Sequence, residues 1–197
     1  KSIAACVSWA PDIYKLSDVR GNKLLVSTGT ANKLIADVMF ARADFVRDHP
    51  EVIGGLVRGY FDAVDELRQD AARKKAAGLM AKAYGLPAEE AESMLGDAHW
   101  TNFAENREFF LNQNNPTNFE RYWETASMLY LKLGSISNAV RFDQVMDFTF
   151  IQKLEKKGTF AHQKDESVTS FTPASFRKVQ AEAPILAGLR DELADLV

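Results

Sequence analysis

Five residues near the start of the chain have side chains suited to holding a small polar molecule: Ser8, Trp9, Asp12, Thr28 and Thr30. The first three belong to the stretch IAACVSWAPD, and the last two follow the apolar stretch KLLV. Hydroxyl and carboxylate groups hydrogen-bond polar head groups, and an indole ring supplies an aromatic wall. These residue types predict the binding of a polar or anionic solute, helped by the free N–H groups at the start of the next helix.

A purely structural interpretation of the same residues is also open. Ser27 and Thr28 are typical turn residues, and Trp9 could simply belong to the core. The choice between binding and structure depends on whether these side chains meet at one opening.

Signatures of catalysis are absent from the sequence. It contains no Gly-x-Ser-x-Gly motif, no phosphate-binding loop and no dinucleotide fingerprint. His49, His99 and His162 are far apart along the chain, and Cys6 is expected to be a small buried core residue rather than a nucleophile. We therefore expect a protein that is not an enzyme and that needs no metal or cofactor.

Composition narrows the class of protein further. The chain has 197 residues, 46% of them apolar, which is enough for one folded domain with a full core. The 24 basic and 27 acidic residues nearly balance, and the basic ones do not form a stripe, so nucleic acid is not an expected partner. A single Cys excludes an internal disulfide, and no apolar run has the length of a bilayer span.

The first residues also resemble a lipoprotein cleavage site, because Ile3-Ala4-Ala5-Cys6 places small residues before a Cys. That interpretation requires a hydrophobic segment upstream, and Lys1-Ser2 is too short to be part of a signal peptide. The chain lacks an initiating Met, so we expect a processed product or a fragment of a longer protein.

The pattern of apolar residues predicts an α/β fold that is rich in helix. Two short continuous apolar runs, residues 3–9 and 23–29, are typical of strands buried on both faces of a parallel sheet. Helical spacing begins at about residue 31, and a stop and restart is expected at Asp48-His49-Pro50-Glu51. Further expected helix signals are an end at Gly85, a start at Pro87, a capping box at Thr117 and Glu120, and a helix from Asp143 to Lys157 that ends at Gly158.

The end of the chain has a different composition. From residue 159 to about residue 180 polar residues dominate, which predicts an extended and poorly packed segment. Helical spacing returns over residues 185–196. We therefore divide the chain into a binding domain over residues 1–158 and a linker with a short terminal helix over residues 159–197.

The order of these elements resembles the C-terminal half of a type II periplasmic solute-binding protein of an ABC importer. The closest group serves sulfonates, taurine, nitrate and thiamine-precursor pyrimidines, and the resemblance covers roughly residues 3–155. The residues that carry it are Ala4, Ala5, Val7, Trp9 and Pro11, followed by Ala43, Phe45, His49, Pro50, Val52, Leu56 and Ala63. The stretches AAGLMAKAYGLPAEEAESML and YLKLGSISNAVRFDQVMDFTFIQKL resemble later parts of the same family.

The resemblance implies a two-lobed fold with a short parallel sheet covered by helices. It places Ser8, Trp9 and Asp12 near the cleft between the lobes, together with Thr28 and Thr30. It also implies hinge closure over a solute, a membrane permease as partner, and a location in the periplasm or attached to the cell envelope. The N-terminal half of such a protein is missing from this sequence and is expected as a further partner. Some relatives continue into a peptidoglycan-binding domain of the OmpA type.

Two other functions are alternatives to solute binding. The same fold resembles pyrimidine-forming enzymes of thiamine synthesis, but these need a reactive His and a Cys-rich metal motif that the sequence lacks. The second alternative is a helical interaction or scaffold domain linked to a cell-wall-binding partner domain. A structure without a pair of parallel strands would favour that alternative.

Overall fold

The computed structural model describes residues 3–9, 12–28 and 35–166 of the chain. Helices make up 56% of these residues, and within them the structure contains no strand. The described helices are α1 (Asp12–Asp18), α2 (Ala43–Asp48), α3 (Pro50–Glu66), α4 (Asp70–Tyr84), α5 (Ala88–Met94), α6 (Phe103–Phe110), α7 (Phe119–Lys132), α8 (Phe142–Val145) and α9 (Thr149–Lys157).

The predicted parallel sheet is wrong for the part of the chain that the structure describes. Residues 3–9 and 22–27 are neither helical nor paired with another strand. Their apolar side chains are open to solvent, with Val7 92% exposed and Leu25 55% exposed. A continuous apolar run shows that a segment needs cover on both faces, but a strand also needs a neighbouring backbone, and these segments pair with none. The fold class predicted from these two runs is therefore corrected to helical.

The described residues form two compact units, which divide between Asp37 and Val38. The first unit contains α1 and the irregular segments on either side of it, and none of its described residues is buried. The second unit contains α2 to α9 and all of the buried residues described here.

Aromatic side chains form the main core of the second unit. Phe61 of α3, Phe103 of α6, Leu154 of α9 and Phe160 form one buried cluster. The rings of Phe61 and Phe103 meet edge to face, with centroids 5.2 Å apart and planes at 89°. Phe160, the second residue of the predicted linker, is 4% exposed in this cluster, whereas most of residues 161–166 are exposed. The rest of the predicted linker lies outside the described residues.

A smaller core joins α4 to α5. Ala77, Ala91 and Leu95 are buried together, and the small alanine side chains let the two helices approach closely. Gly85 ends α4 with a φ of 68°, in the left-handed region that favours glycine, and its N–H donates to the carbonyl of Ala81. This confirms the helix end that the sequence predicts at Gly85.

Other helix boundaries were predicted with mixed success. α2 ends at Asp48 and α3 begins at Pro50, which confirms the stop and restart at this point. The helical spacing from residue 31 was wrong for residues 35–42, which are irregular. The helix expected from Asp143 to Lys157 is divided into α8 and α9, and α9 ends at Gly158 with a φ of 64°.

Candidate functional site

Three of the five predicted solute-binding residues, Ser8, Trp9 and Asp12, lie at the start of α1 or shortly before it. The carbonyl oxygen of Trp9 accepts a hydrogen bond of 2.9 Å from the N–H of Ile13, the second residue of α1. Its indole ring is 69% exposed. The helix start therefore presents Trp9 and Asp12 to solvent within one turn of chain.

Asp12 carries the acidic charge of this helix start. Its Oδ1 lies 3.6 Å from Nζ of Lys15, three residues further along α1, and both side chains are largely exposed. A carboxylate in the first turn complements the positive end of the helix dipole. The pair presents an acceptor and a cation side by side, which suits a solute that carries both donor and acceptor groups.

The structure joins some of the five predicted residues and leaves the others apart. Ser8 is half-buried and adjoins Trp9, whereas Thr28 is exposed in the irregular segment after α1. Among the described residues, no hydrogen bond or ion pair links Thr28 to Ser8, Trp9 or Asp12. Thr30 lies outside the described residues. The structure therefore places Ser8, Trp9 and Asp12 near one another in the chain at the start of α1, and no hydrogen bond or ion pair described above brings Thr28 to them.

Cys6 is exposed, so the prediction of a buried core thiol is wrong. The described residues on either side of it, 3–5 and 7–9, are exposed or half-buried as well. Within the described ranges, no group of three or more His, Cys, Asp or Glu side chains is arranged to hold a metal ion.

Two of the three buried polar residues in the described part of the chain, Asn102 and Glu105, lie at the N-terminus of α6. Asn102 is 1% exposed, and its side-chain oxygen accepts a hydrogen bond of 3.0 Å from the N–H of Glu105. Glu105 in turn accepts 2.8 Å from the N–H of Asn102, which completes a capping box. Its other carboxylate oxygen lies 2.6 Å from Nε2 of the half-exposed His99. Both oxygens of Glu105 are thus occupied, which suits a structural role better than proton transfer to a substrate.

The same helix end also anchors residues 163–166. The side-chain oxygen of Gln163 accepts 2.8 Å from the N–H of Phe103, and Nδ2 of Asn102 donates 2.8 Å to the carbonyl of Lys164. Arg68 donates 2.7 Å to Glu166, and this bond raises the pKa of the Arg68 guanidinium above its ordinary value. These contacts fix the chain as far as Glu166 against the second unit.

Sequence reasoning missed this cluster, although one local signal for it was present. Asn102 and Glu105 have the spacing of a capping box, which the sequence analysis instead assigned to Thr117 and Glu120. At α7 the cap is Asn118, whose side chain accepts from the N–H of Arg121. The contacts with residues 163–166 have no local signal, because they join positions about 60 residues apart.

An open depression beside α2 offers no free charge to a ligand. It has a volume of about 470 Å³ and is lined by residues of the segment from Arg42 to His49. Arg42 forms a two-point ion pair with Asp44, and Arg47 forms one with Asp48. The bond to Arg42, with a further bond from the N–H of Phe45, lowers the pKa of Asp44 below its ordinary value. The charges of this depression are therefore already paired.

Comparisons with known proteins leave the chain without an assigned family. No protein-family model, no curated protein and no solved structure matched it. None of the helices in the described part of the chain is long and apolar enough to cross a membrane.

Proposed function

We propose that this chain is part of the substrate-binding component of an ABC importer and helps to capture a small polar or anionic solute. The observation that carries the proposal is the exposed Trp9 beside Asp12 and Lys15 at the start of α1. The proposal includes the remaining half of the receptor and a membrane permease as partners. It also places the protein in the periplasm or on the cell envelope.

An exposed tryptophan beside paired charges is a good basis for a binding surface. Its ring offers a large apolar face that loses little conformational entropy when it contacts a ligand, and its N–H remains available as a donor. The neighbouring carboxylate and ammonium groups can orient the polar end of the solute. Because the described residues form no sheet, this version of the site relies on the helix start and not on paired strand ends.

The surroundings of Trp9 support a site that is completed by a partner. Ile3 and Val7 are 76% and 92% exposed, so the segment before Trp9 presents apolar surface without cover. Contiguous exposed apolar surface commonly marks a place where another surface docks. A complementary receptor half would cover this segment and bring a second wall to the solute.

A ligand panel tests the proposal on the full chain. Taurine, an alkanesulfonate, nitrate and a hydroxymethylpyrimidine represent the solute classes that the sequence resemblance implies. We expect one of them to raise the melting temperature and to change the tryptophan fluorescence, since a ligand at 100 times its dissociation constant adds about 2.7 kcal/mol to stability.

Two variants show whether the response comes from Trp9. Trp9→Ala should abolish both the fluorescence change and the thermal shift. Phe40→Ala removes a 91% exposed aromatic ring that belongs to the second unit, so it should leave both responses unchanged. The proposal would be rejected if the two variants showed equal fluorescence changes and thermal shifts. It would also be rejected if the unmodified chain responded to no solute in the panel.

A second candidate function is a helical interaction domain linked to a cell-wall-binding partner domain. The absence of strands among the described residues favours it, and so does the C-terminal end of α7. There Leu129, Tyr130, Leu131 and Leu133 are between 39% and 75% exposed, which forms an apolar surface on several sides of the helix. Sedimentation at increasing concentration tests this candidate. Association that the Leu129→Gln/Leu133→Gln variant removes would support it, and a monomer throughout would count against it.

A further inference from the structure

A cleft between α3 and α9 has an apolar floor. Its volume is about 240 Å³, and Gly54, Gly55, Phe150 and Leu154 are among the residues that line it. A Cβ atom built on Gly54 would lie 3.4 Å from the ring of Phe150, whereas one built on Gly55 would have nothing within 4 Å. The missing side chain of Gly55 therefore leaves open space beside α3.

Three cations lie around this floor: Arg58, Lys153 and Lys157. Nζ of Lys153 is 5.6 Å from the centre of the Phe150 ring, and Nε of Arg58 is 3.3 Å from a carboxylate oxygen of Asp62. No carboxylate lines the cleft itself in the described part of the chain. The net charge of the side chains that line the cleft is therefore positive.

Lys153 and Lys157 have no acidic partner among the residues that the structure describes. They are four residues apart on α9, so their like charges lie on the same face and repel each other slightly. An anion held between them would relieve this repulsion.

We propose that the cleft between α3 and α9 binds an amphipathic anion, a molecule with a short apolar body and one sulfonate, carboxylate or phosphate group. The apolar body rests on the glycine backbone and the Phe150 ring, and the anionic group contacts Lys153, Lys157 and Arg58. The apolar floor gives no hydrogen bonds to a fully hydrated inorganic ion, which is why the ligand needs an apolar part. The site shares no residue with the proposed solute site at Trp9.

Amide resonances of the glycines report on the cleft directly. In a titration of the full chain with hexanesulfonate, we expect the amide signals of Gly54 and Gly55 to move and that of Gly78 to stay. Gly78 lies in α4 and has no contact with the cleft. Shifts of equal size at all three glycines, or at none, would overturn the proposal.

Two parallel titrations identify the kind of ligand. Inorganic sulfate should give smaller shifts than hexanesulfonate at the same ionic strength. Vesicles with phosphatidylglycerol should leave the two glycine signals in place if the ligand is a free molecule. Loss of these signals with vesicles, and no response to hexanesulfonate, would instead indicate a membrane surface and overturn the proposal.

Charge variants test the cationic contacts. Lys153→Gln/Lys157→Gln should weaken hexanesulfonate binding about tenfold, since two partly exposed charge contacts together contribute on the order of one decade in affinity. Lys156→Gln removes a neighbouring charge on the same helix that does not line the cleft, so affinity should be unchanged within error. Equal losses in the two variants would show only a general effect of net charge.

A variant that fills the cleft can lose binding while it stays folded, so its loss of binding cannot be due to unfolding. Gly55→Leu should remove binding without lowering the melting temperature, because leucine favours helix over glycine and meets no atom within 4 Å of its Cβ. Gly59→Leu is the matched control, since Gly59 has the same free surroundings in α3 but does not line the cleft. Retained binding in Gly55→Leu would refute the site.

Discussion

The buried side chain of Asn102 joins the start of α6 to a distant segment of the second unit. Its oxygen caps α6 by accepting a bond from the N–H of Glu105, and its Nδ2 donates to the carbonyl of Lys164. Asn102→Ala should lower the free energy of unfolding by about 2 kcal/mol, because it removes the cap of α6 and the hydrogen bond that the Asn102 side chain donates to the Lys164 carbonyl. Urea denaturation measures this change.

The matched control for this prediction is Asn118→Ala at the start of α7. Asn118 also accepts a bond from a helix N–H, but its other side-chain bond reaches only the nearby Gln113 carbonyl. We expect a loss of about 1 kcal/mol, the usual effect of removing an N-cap. Equal losses at the two positions would mean that the bond to Lys164 contributes nothing to stability.

Tyr122 should make stability sensitive to alkaline pH. Its half-buried ring lies 5.7 Å from the ring of Phe109, and burial raises its pKa above the ordinary value of 10.0. The neutral phenol is therefore favoured in the folded state. Its contribution is complete below the unfolded pKa and is lost as pH rises through the raised folded pKa.

Urea denaturation from neutral pH to about pH 11 measures this loss. Tyr122→Phe should lose less stability than the unmodified chain over the alkaline part of that range. Tyr84→Phe is the control, because Tyr84 is 70% exposed and should behave like the unmodified chain. If the free energy of unfolding changed with pH in the same way for all three proteins, ionisation of Tyr122 would have no effect on folding.

At the scale of the element, the same substitution should have opposite effects at Gly78, inside α4, and at Gly85, which follows the last residue of that helix. Gly78 is inside the helix, where a Cβ would have nothing within 4 Å, so Gly78→Ala should stabilise by about 1 kcal/mol. Gly85 ends the helix with a φ of 68°, a conformation strained for alanine, so Gly85→Ala should destabilise by about 1 kcal/mol. Thermal melts of the two variants give both signs, and a shift of the same sign in both would contradict this account of the helix end.

Helix boundaries were predictable where the signal was local. Pro50 and Gly85 mark their helix ends through their own backbone preferences, so no distant contact was needed to place them. Whether the two apolar runs form strands could not be predicted from local signals. The apolar run Leu24-Leu25-Val26 indicates a need for cover, but strand formation depends on a partner elsewhere, and the described residues contain no strand.

At the scale of the whole molecule, a candidate site could be predicted from the sequence when its residues are close together in the chain, and could not when they are far apart. The exposed Trp9 and its acidic neighbour are adjacent in sequence, so their grouping could be predicted. The cleft combines Gly55 with Lys153 and Lys157, about 100 residues further along the chain. That combination follows from the packing of α3 on α9, which helical spacing alone does not specify.

The two units should differ strongly in local stability. α1 has seven residues and none of them is buried, whereas α3 buries Ile53, Phe61 and Val64. An isolated helix shorter than about 12 residues is marginal in water, so α1 amides should exchange at nearly the rate of an unfolded chain. The α3 amides near Phe61 should exchange only through larger opening of the second unit.

Hydrogen exchange followed by mass spectrometry or NMR measures this difference on the full chain. Protection of α1 to the same degree as α3 would show that the apolar surface of residues 3–28 is covered in solution, against the exposure seen here. If protection of α1 rises only after a complementary receptor half is added, the covered surface is the one that the solute-binding proposal requires. Protection that rises with protein concentration alone would instead favour the interaction-domain alternative, because a second copy of the chain would then be the cover.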